Sequence, residues 1–229
     1  MFETFRTEAG IYAKMDTPPP FAVANEYIAA ELAQHIRLPM PPHFCAYIKR
    51  TTRPVFCSLS ATLAGAKLPP IDPIIAMAEA PDLCAGVLLF DIWIANDDRH
   101  RRNISYQRER PPHKLTIFDH SHSLFYYTDY RRRHAGKLGI IGQFGARHCL
   151  LDVLPNPDYF DKWVARIKNV NNDYVKEILS NADSLGLPKH VQRDGYDYLL
   201  HRRDNIDALV RENKKLFRGV TDWGLLWAT

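Results

Sequence analysis

Two short β-like segments, ISYQ at 104–107 and KLTIF at 114–118, constrain this chain more than any other feature. RERPPH between them carries two prolines and strong charge, so the pair reads as a β-hairpin. Asn103 stands just before the first strand and Asp119 just after the second. The ends of an antiparallel pair are neighbours, with opposed residues about 5 Å apart, so residues distant in sequence become adjacent in space. Asp98 lies five residues before Asn103, on the loop that leaves the apolar run AGVLLFDIWIA. The expectation is that Asp98, Asn103 and Asp119 converge on one point. Two carboxylates and an amide oxygen are hard donors. They suit Mg²⁺, which takes few protein oxygens plus substrate phosphates, better than zinc. Phosphoryl transfer needs this set: one Asp to orient or deprotonate the acceptor, then an Asn and an Asp to hold metal under the nucleotide phosphates.

The rest of the chain supplies a frame for such a site. FETFR and IYAKM flank a Glu8-Ala9-Gly10 turn signal and read as a small hairpin. After the stiff TPPP connector, Ile28, Leu32 and Ile36 at four-residue spacing predict an amphipathic helix over 25–36, ended by LPMPP. HFCAYIKR and TRPVFCSLS predict two strands with a turn near Thr51-Thr52-Arg53. From about residue 70 the pattern is helical: DPIIAMAEA, then a buried helix over 81–95 in which Phe90 and Trp93 are core. NPDYFDKWVARIKNV is a further helix; NNDYVKEILSNADSL is another, capped by Asn172 or Asp173. GYDYLLHRRDNIDALVRENKKLF reads as one long helix. No internal repeat is present. The class is α+β, with a small β-containing portion over 1–66 and a mainly helical portion over 67–229 around a cleft.

Composition narrows the function classes. The chain has 229 residues, 46% of them hydrophobic and 24% charged, and a formal net charge of +4, which suits an anionic ligand. The basic runs RHRR at 99–102, RER at 108–110 and RRRH at 131–134 are ordinarily solvated faces. They lack the interleaved aromatics of a nucleic-acid platform, YYTDYRRRH at 126–134 being the nearest approach. The four cysteines form no CxxC pair and read as buried free thiols of a reducing compartment. MFETFRTEAG lacks the apolar core of a signal peptide, and Ala85–Ala95, broken by Asp91, is too short to span a bilayer. The expectation is a cytoplasmic protein without a membrane anchor.

DRHRRN followed by FDH resembles the catalytic and metal-binding loops of HipA-like kinases, in the phosphatidylinositol-kinase-like branch of the protein-kinase superfamily. ANEYIAAELAQHIRLPMPP is similar to that family's Asn-Glu pair opening a helix that runs into a Leu-Pro-x-Pro segment. PVFCSLSATLAG looks like the approach to the hinge, and LLHRRDNIDALV like the closing helix, so the likeness covers roughly 11–215. It implies a compact kinase-like fold with a reduced β-rich N-terminal lobe and a larger helical C-terminal lobe. It also implies ATP and Mg²⁺ as cofactors and a hydroxyl acceptor, a protein Ser/Thr foremost. By the same resemblance Asp98 is the catalytic or acceptor-orienting acid and His100 contacts the transferred phosphoryl group. Asn103 and Asp119 hold Mg²⁺, and Lys14 in IYAKM holds the α- and β-phosphates with Glu26 as its carboxylate partner. Residues 121–150 are then the activation-segment equivalent, with Arg131–Arg133 reading an acidic or phosphorylated substrate.

Two other classes stand beside this reading. Asp98, His100, Asp119, His120 and His122 could instead ligate a transition metal for hydrolysis, though HxxxH spacing is absent and Asn103 is then idle. Alternatively the kinase fold serves as a binding module, its arginine runs holding an acidic protein partner or nucleic acid without turnover. Taken singly, Lys14 fits a surface lysine on an edge strand and Glu26 a first-turn acid favoured by the helix dipole. Arg99 fits a structural salt bridge, and His120 and His122 fit loop histidines fixing backbone carbonyls.

Overall fold

The computed structural model describes residues 10–16, 21–49, 51–59, 69–96, 98–108, 114–125 and 148–228. The first strand of the N-terminal hairpin, the tip of RERPPH and the segment carrying Arg131–Arg133 lie outside them. Alternation in the first third produces a three-stranded antiparallel sheet from β1 (Ile11–Met15), β2 (His43–Tyr47) and β3 (Pro54–Leu59), in the order β1-β3-β2. The β2–β3 turn closes through an Ile48 N–H to Arg53 carbonyl bond of 3.0 Å, with Thr52 in the left-handed region at φ 51°.

Helix α1 (Ala22–His35) starts earlier than its sequence pattern suggests, and it is not amphipathic. Val23 and Ala30 pack with Phe56 of β3, while Ala24, Ile28 and Leu32 join the core of the helical body. A helix apolar on all sides is a buried one, and the alanines let both neighbours come close. Its end is set by a backbone motif more than by the prolines that follow. Arg37 adopts φ 65°, its N–H bonds the Gln34 carbonyl, and the Leu38 N–H bonds the Ala33 carbonyl at 2.8 Å. These are the paired bonds of a Schellman ending.

Helix α2 (Pro73–Glu79) is capped by Asp72, whose Oδ1 accepts from the N–H groups of Ile74 and Ile75, with Pro73 at the first position. Helix α3 (Pro81–Trp93) is buried from Cys84 through Trp93. Strands β4 (Ile104–Gln107) and β5 (Lys114–Ile117) form the expected hairpin. The chain continues with α4 (Phe160–Lys168), α5 (Asn172–Asn181), α6 (Lys189–Asp204), α7 (Ile206–Glu212) and α8 (Gly224–Ala228). Two local expectations change. The cap of α5 is Asn171, whose side chain accepts from the Asp173 N–H. The single long helix expected near the C-terminus is two, broken at Asn205, whose amide donates back to the His201 carbonyl at 2.8 Å. An Asn side chain competes in this way with the helical ladder. Among the described residues no single helix is long and apolar enough to cross a membrane. All four cysteines are free; Cys57 and Cys84 are buried, and Cys45 and Cys149 are only partly so.

The end of α3 decides where the polar loop goes. Ala95 turns left-handed at φ 53°, its N–H bonds the Ile92 carbonyl, and the Asn96 N–H bonds the Asp91 carbonyl at 2.9 Å, a second Schellman ending. Arg202 of α6 covers the end of the helix: its Nε lies 3.0 Å from Ile92 O and 3.1 Å from Trp93 O, and its Nη2 also reaches Ile92 O. Trp93 answers by donating Nε1 to the Leu199 carbonyl at 3.0 Å.

Asp91, the lone acid in the apolar run, forms a bidentate pair with Arg99: Nε to Oδ2 at 2.7 Å and Nη2 to Oδ1 at 2.9 Å, both side chains fully buried. Asn96 adds its amide to Oδ1 at 2.9 Å, and His148 brings Nε2 to 3.2 Å from Oδ2. The free face of the guanidinium donates Nη1 to the carbonyls of Asn103 and Phe118, each at 2.7 Å, so one arginine ties α3 to both strands of the hairpin. The sequence reading of Arg99 as a structural ion pair holds, in a buried form. Burial opposes charge on Asp91, but the adjacent Arg99 outweighs it and holds the carboxyl well below the usual carboxylate range. Burial and the Arg99 charge together lower the His148 value.

Removing one partner of a buried pair leaves the other charge uncompensated, at a cost of about 3–5 kcal/mol. Arg99→Met is therefore expected to lower the melting temperature by about 10 °C or more for a chain of this size; a loss under about 1 kcal/mol in thermal unfolding would contradict the pair's role. The pH response follows from the same groups. Asp91, depressed in the fold, contributes fully above about pH 4 and loses that contribution as pH falls further. His148, held neutral, resists a proton that the unfolded chain takes below about pH 6.5. Melting temperature should thus decline from pH 7.5 to about pH 5.5, and decline less in His148→Gln. A flat profile in the wild-type protein over that range would rule this out.

Candidate active site

Lys14 sits on β1 opposite Phe56, on the side of the sheet facing α1. Its Nζ lies 2.6 Å from Glu26 Oε1 and 2.7 Å from Asp119 Oδ1. Glu26 stands in the second turn of α1, past the reach of a simple dipole preference, and is almost wholly buried. Burial disfavours its charge, but the nearby His120 and the Lys14 ammonium outweigh that and hold its carboxyl below the ordinary value. Burial acts likewise against Asp119, and Lys14 with Ser121 overcomes it, leaving Asp119 well below the usual range. For Lys14 the burial penalty is exceeded by the two carboxylates, which raise its value. All three groups are thus held charged.

In the loop after β5, Asp119-His120-Ser121-His122-Ser123, every side chain but that of His120 has a close polar partner, and neither ring nitrogen of the buried His120 makes a hydrogen bond. Asp119 adopts φ 61°, a region that Asp tolerates better than most residues. The His120 N–H donates to Glu26 Oε1 at 2.9 Å, and its fully buried ring, edge-on to Phe90, holds Nδ1 3.5 Å from Glu26 Oε2. That last separation is a weak electrostatic contact at the limit of hydrogen bonding. Ser121 donates Oγ to Asp119 Oδ1 at 2.8 Å. His122 places Nδ1 3.1 Å from Asp98 Oδ2. Ser123 closes the turn with its Oγ 2.7 Å and its N–H 3.0 Å from the His120 carbonyl. The two histidines therefore meet carboxylates, where backbone carbonyls were expected. Asn25, next to Glu26 and fully buried, straps this loop to α1: its Nδ2 donates to Ser121 O at 3.0 Å and its Oδ1 accepts from the Phe125 N–H at 3.2 Å.

On the preceding loop, the Asp98 carbonyl accepts from Asn103 Nδ2 at 2.9 Å and from the His100 N–H at 2.8 Å. Ile104 pairs with Ile117, so Asn103 opposes Phe118 and Asp119 follows one step beyond. Asn103 spends its Nδ2 on Asp98, which leaves its Oδ1 as the atom able to take a ligand; it and the Asp119 carboxylate are hard oxygen donors, the chemistry Mg²⁺ selects. His100 makes a local contact, its Nδ1 accepting from the Arg102 N–H at 3.1 Å.

Direct side-chain contacts thus join Lys14, Glu26 and Asp119 in one group, and Asp98 to the same loop through His122. Among the described residues no three His, Cys, Asp or Glu side chains gather into a group able to hold a metal ion, so the transition-metal hydrolase set does not assemble. The sequence assigns no site role to Asn25, Asp91 or His148. A lone acid inside AGVLLFDIWIA and an amide inside an alanine-rich helix were the available signals, since buried polar groups require partners.

Comparison with known proteins agrees with this geometry. No curated protein matches the chain. Among solved structures, the Helicobacter pylori proinflammatory kinase CtkA superposes with a TM-score of 0.59 at 15% identity, covering 90% of this chain and 91% of that one. That likeness shows the fold, a kinase-like α+β architecture. The family model described as HipA-like kinase matches residues 8–178, a span holding the strand lysine, the buried helix glutamate and both polar loops. The chain belongs to the HipA-like kinase family.

Proposed function

We propose that this kinase transfers the γ-phosphoryl group of ATP to a hydroxyl acceptor, with a protein Ser/Thr as the acceptor class. The observation that carries the reading is the Lys14–Glu26–Asp119 group, a strand ammonium held between a buried helix carboxylate and a loop carboxylate. Lys14 holds the nucleotide's α- and β-phosphates as a point charge that Glu26 keeps in place. Asn103 and Asp119 hold Mg²⁺, which when bound neutralises phosphate charge. Asp98 orients the acceptor hydroxyl and takes its proton as the new P–O bond forms and ADP departs. His100 contacts the transferred group from the same loop. The exposed Arg101 and Arg102 favour an acidic sequence around the acceptor. The protein supplies position and charge, and the nucleotide supplies the chemistry.

Asp98→Asn should lower γ-phosphoryl transfer by about 10²–10⁴-fold while ATP affinity stays within a few-fold. Asp119→Asn should abolish transfer and remove the Mg²⁺ dependence of nucleotide binding, read by titration with a fluorescent ATP analogue with and without the metal. Wild-type activity in either variant, or a wild-type protein that moves no label from γ-labelled ATP to itself or to a Ser/Thr peptide, refutes the assignment.

A further inference from the structure

We propose that His122 is a positioning residue that aims the Asp98 carboxylate and couples it to the loop carrying Asp119; the inference rests on the kinase reading above. The backbone of Asp98 is fixed from both sides. Its N–H points to Asn96 Oδ1 at 3.3 Å, and its carbonyl takes Asn103 Nδ2 and the His100 N–H. These bonds leave the side-chain torsions open, and an acid that must meet a hydroxyl in line with a phosphoryl group needs its carboxylate direction set as well. His122 Nδ1 stands 3.1 Å from Asp98 Oδ2, with Asp98 mostly shielded at 18% side-chain exposure.

The imidazole is itself held at its base. Ser123 grips the His120 carbonyl through both Oγ and N–H, and Asn25 holds Ser121 O and the Phe125 N–H, so the backbone on either side of His122 is tied to α1. With its proton on Nδ1, the ring donates to Oδ2 and so sets the direction in which the carboxylate meets the acceptor hydroxyl. The contact also has a mechanical consequence. Asp98 and Asp119 lie on different loops, joined at one end by the β4–β5 ladder, and His122 adds a side-chain bridge between them. Whatever seats the Asp119 loop then also aims Asp98.

The test uses the full chain, γ-labelled ATP and Mg²⁺, reading loss of the γ-phosphoryl group together with nucleotide affinity and melting temperature. His122→Ala should lower kcat by about ten- to a hundred-fold, the cost of about 1 Å of misplacement, with ATP KM and nucleotide Kd within about twofold. His122→Asn, whose amide nitrogen stands as far from the main chain as the imidazole Nδ1, should recover most of the rate. In an Asp98→Asn background, His122→Ala should cost nothing further, because both act through one carboxylate. An unchanged kcat in His122→Ala overturns the inference alone. So does a parallel loss of nucleotide affinity, no rescue by Asn, or full additivity with Asp98→Asn. Absence of turnover in the wild-type protein overturns the kinase reading and this inference with it.

Discussion

The buried pair of Asp91 and Arg99 is the constraint on which the rest of the molecule depends. Neither charge has access to water, so each is tolerable only because the other is there in bidentate geometry with further donors around it. Arg99 then has one nitrogen left, and that nitrogen takes the carbonyls of Asn103 and Phe118, the two residues that open and close the hairpin. A single guanidinium thus fixes the distance between α3, the loop that carries Asp98 and the end of the strand that precedes Asp119. His148 and the Cys149 N–H, which bonds the Arg99 carbonyl at 2.9 Å, bring the returning chain to the same centre.

The five residues from Asp119 to Ser123 form the second organising unit. They face Lys14, Glu26, Asp119 itself, Asp98 and the His120 carbonyl in turn, and they are strapped to α1 through Asn25. Left-handed backbone at Asp119 and Leu124, and at Phe21 at the start of α1, surrounds this unit. Non-glycine residues in that region cost of order 1–3 kcal/mol each and persist where neighbouring contacts over-determine them. Here the contacts are visible: Asn25 holds the Phe125 N–H, and the Phe21 and Phe125 rings meet edge-to-face at 6.4 Å. Gly195 of α6 is part of the same accommodation, because a Cβ there would lie 2.6 Å from Phe125 Cζ.

Much of the frame was legible in the residues. The hairpin of ISYQ and KLTIF, the β2–β3 turn at Thr51-Thr52-Arg53 and the buried helix beginning at Pro81 follow from alternation, turn chemistry and unbroken apolar runs, all local properties. The helix boundaries were less legible. Arg37 and Ala95 in left-handed conformation are poor sequence signals for a helix end, since glycine is the residue that advertises one. The sequence pattern of helix α1 looks amphipathic because Ile28, Leu32 and Ile36 mark only one of the two faces it buries. The alanines on its other side become informative once β3 is known to lie against them.

The order of polar residues from Asp98 to Asp119, and the strand pairing that folds them back on themselves, are properties of the sequence alone. Side-chain alternation and a charged, proline-bearing connector specify a hairpin without reference to the rest of the chain. What only the tertiary structure decided is which polar groups meet across long separations. Lys14 reaches Asp119, Asn25 reaches Ser121, Asp91 meets His148, and Arg202 covers the end of α3. These partners are chosen because a buried donor or charge must find its complement wherever the packing of apolar helices delivers one. That delivery depends on how α1, α3 and α6 stack, which no local pattern encodes.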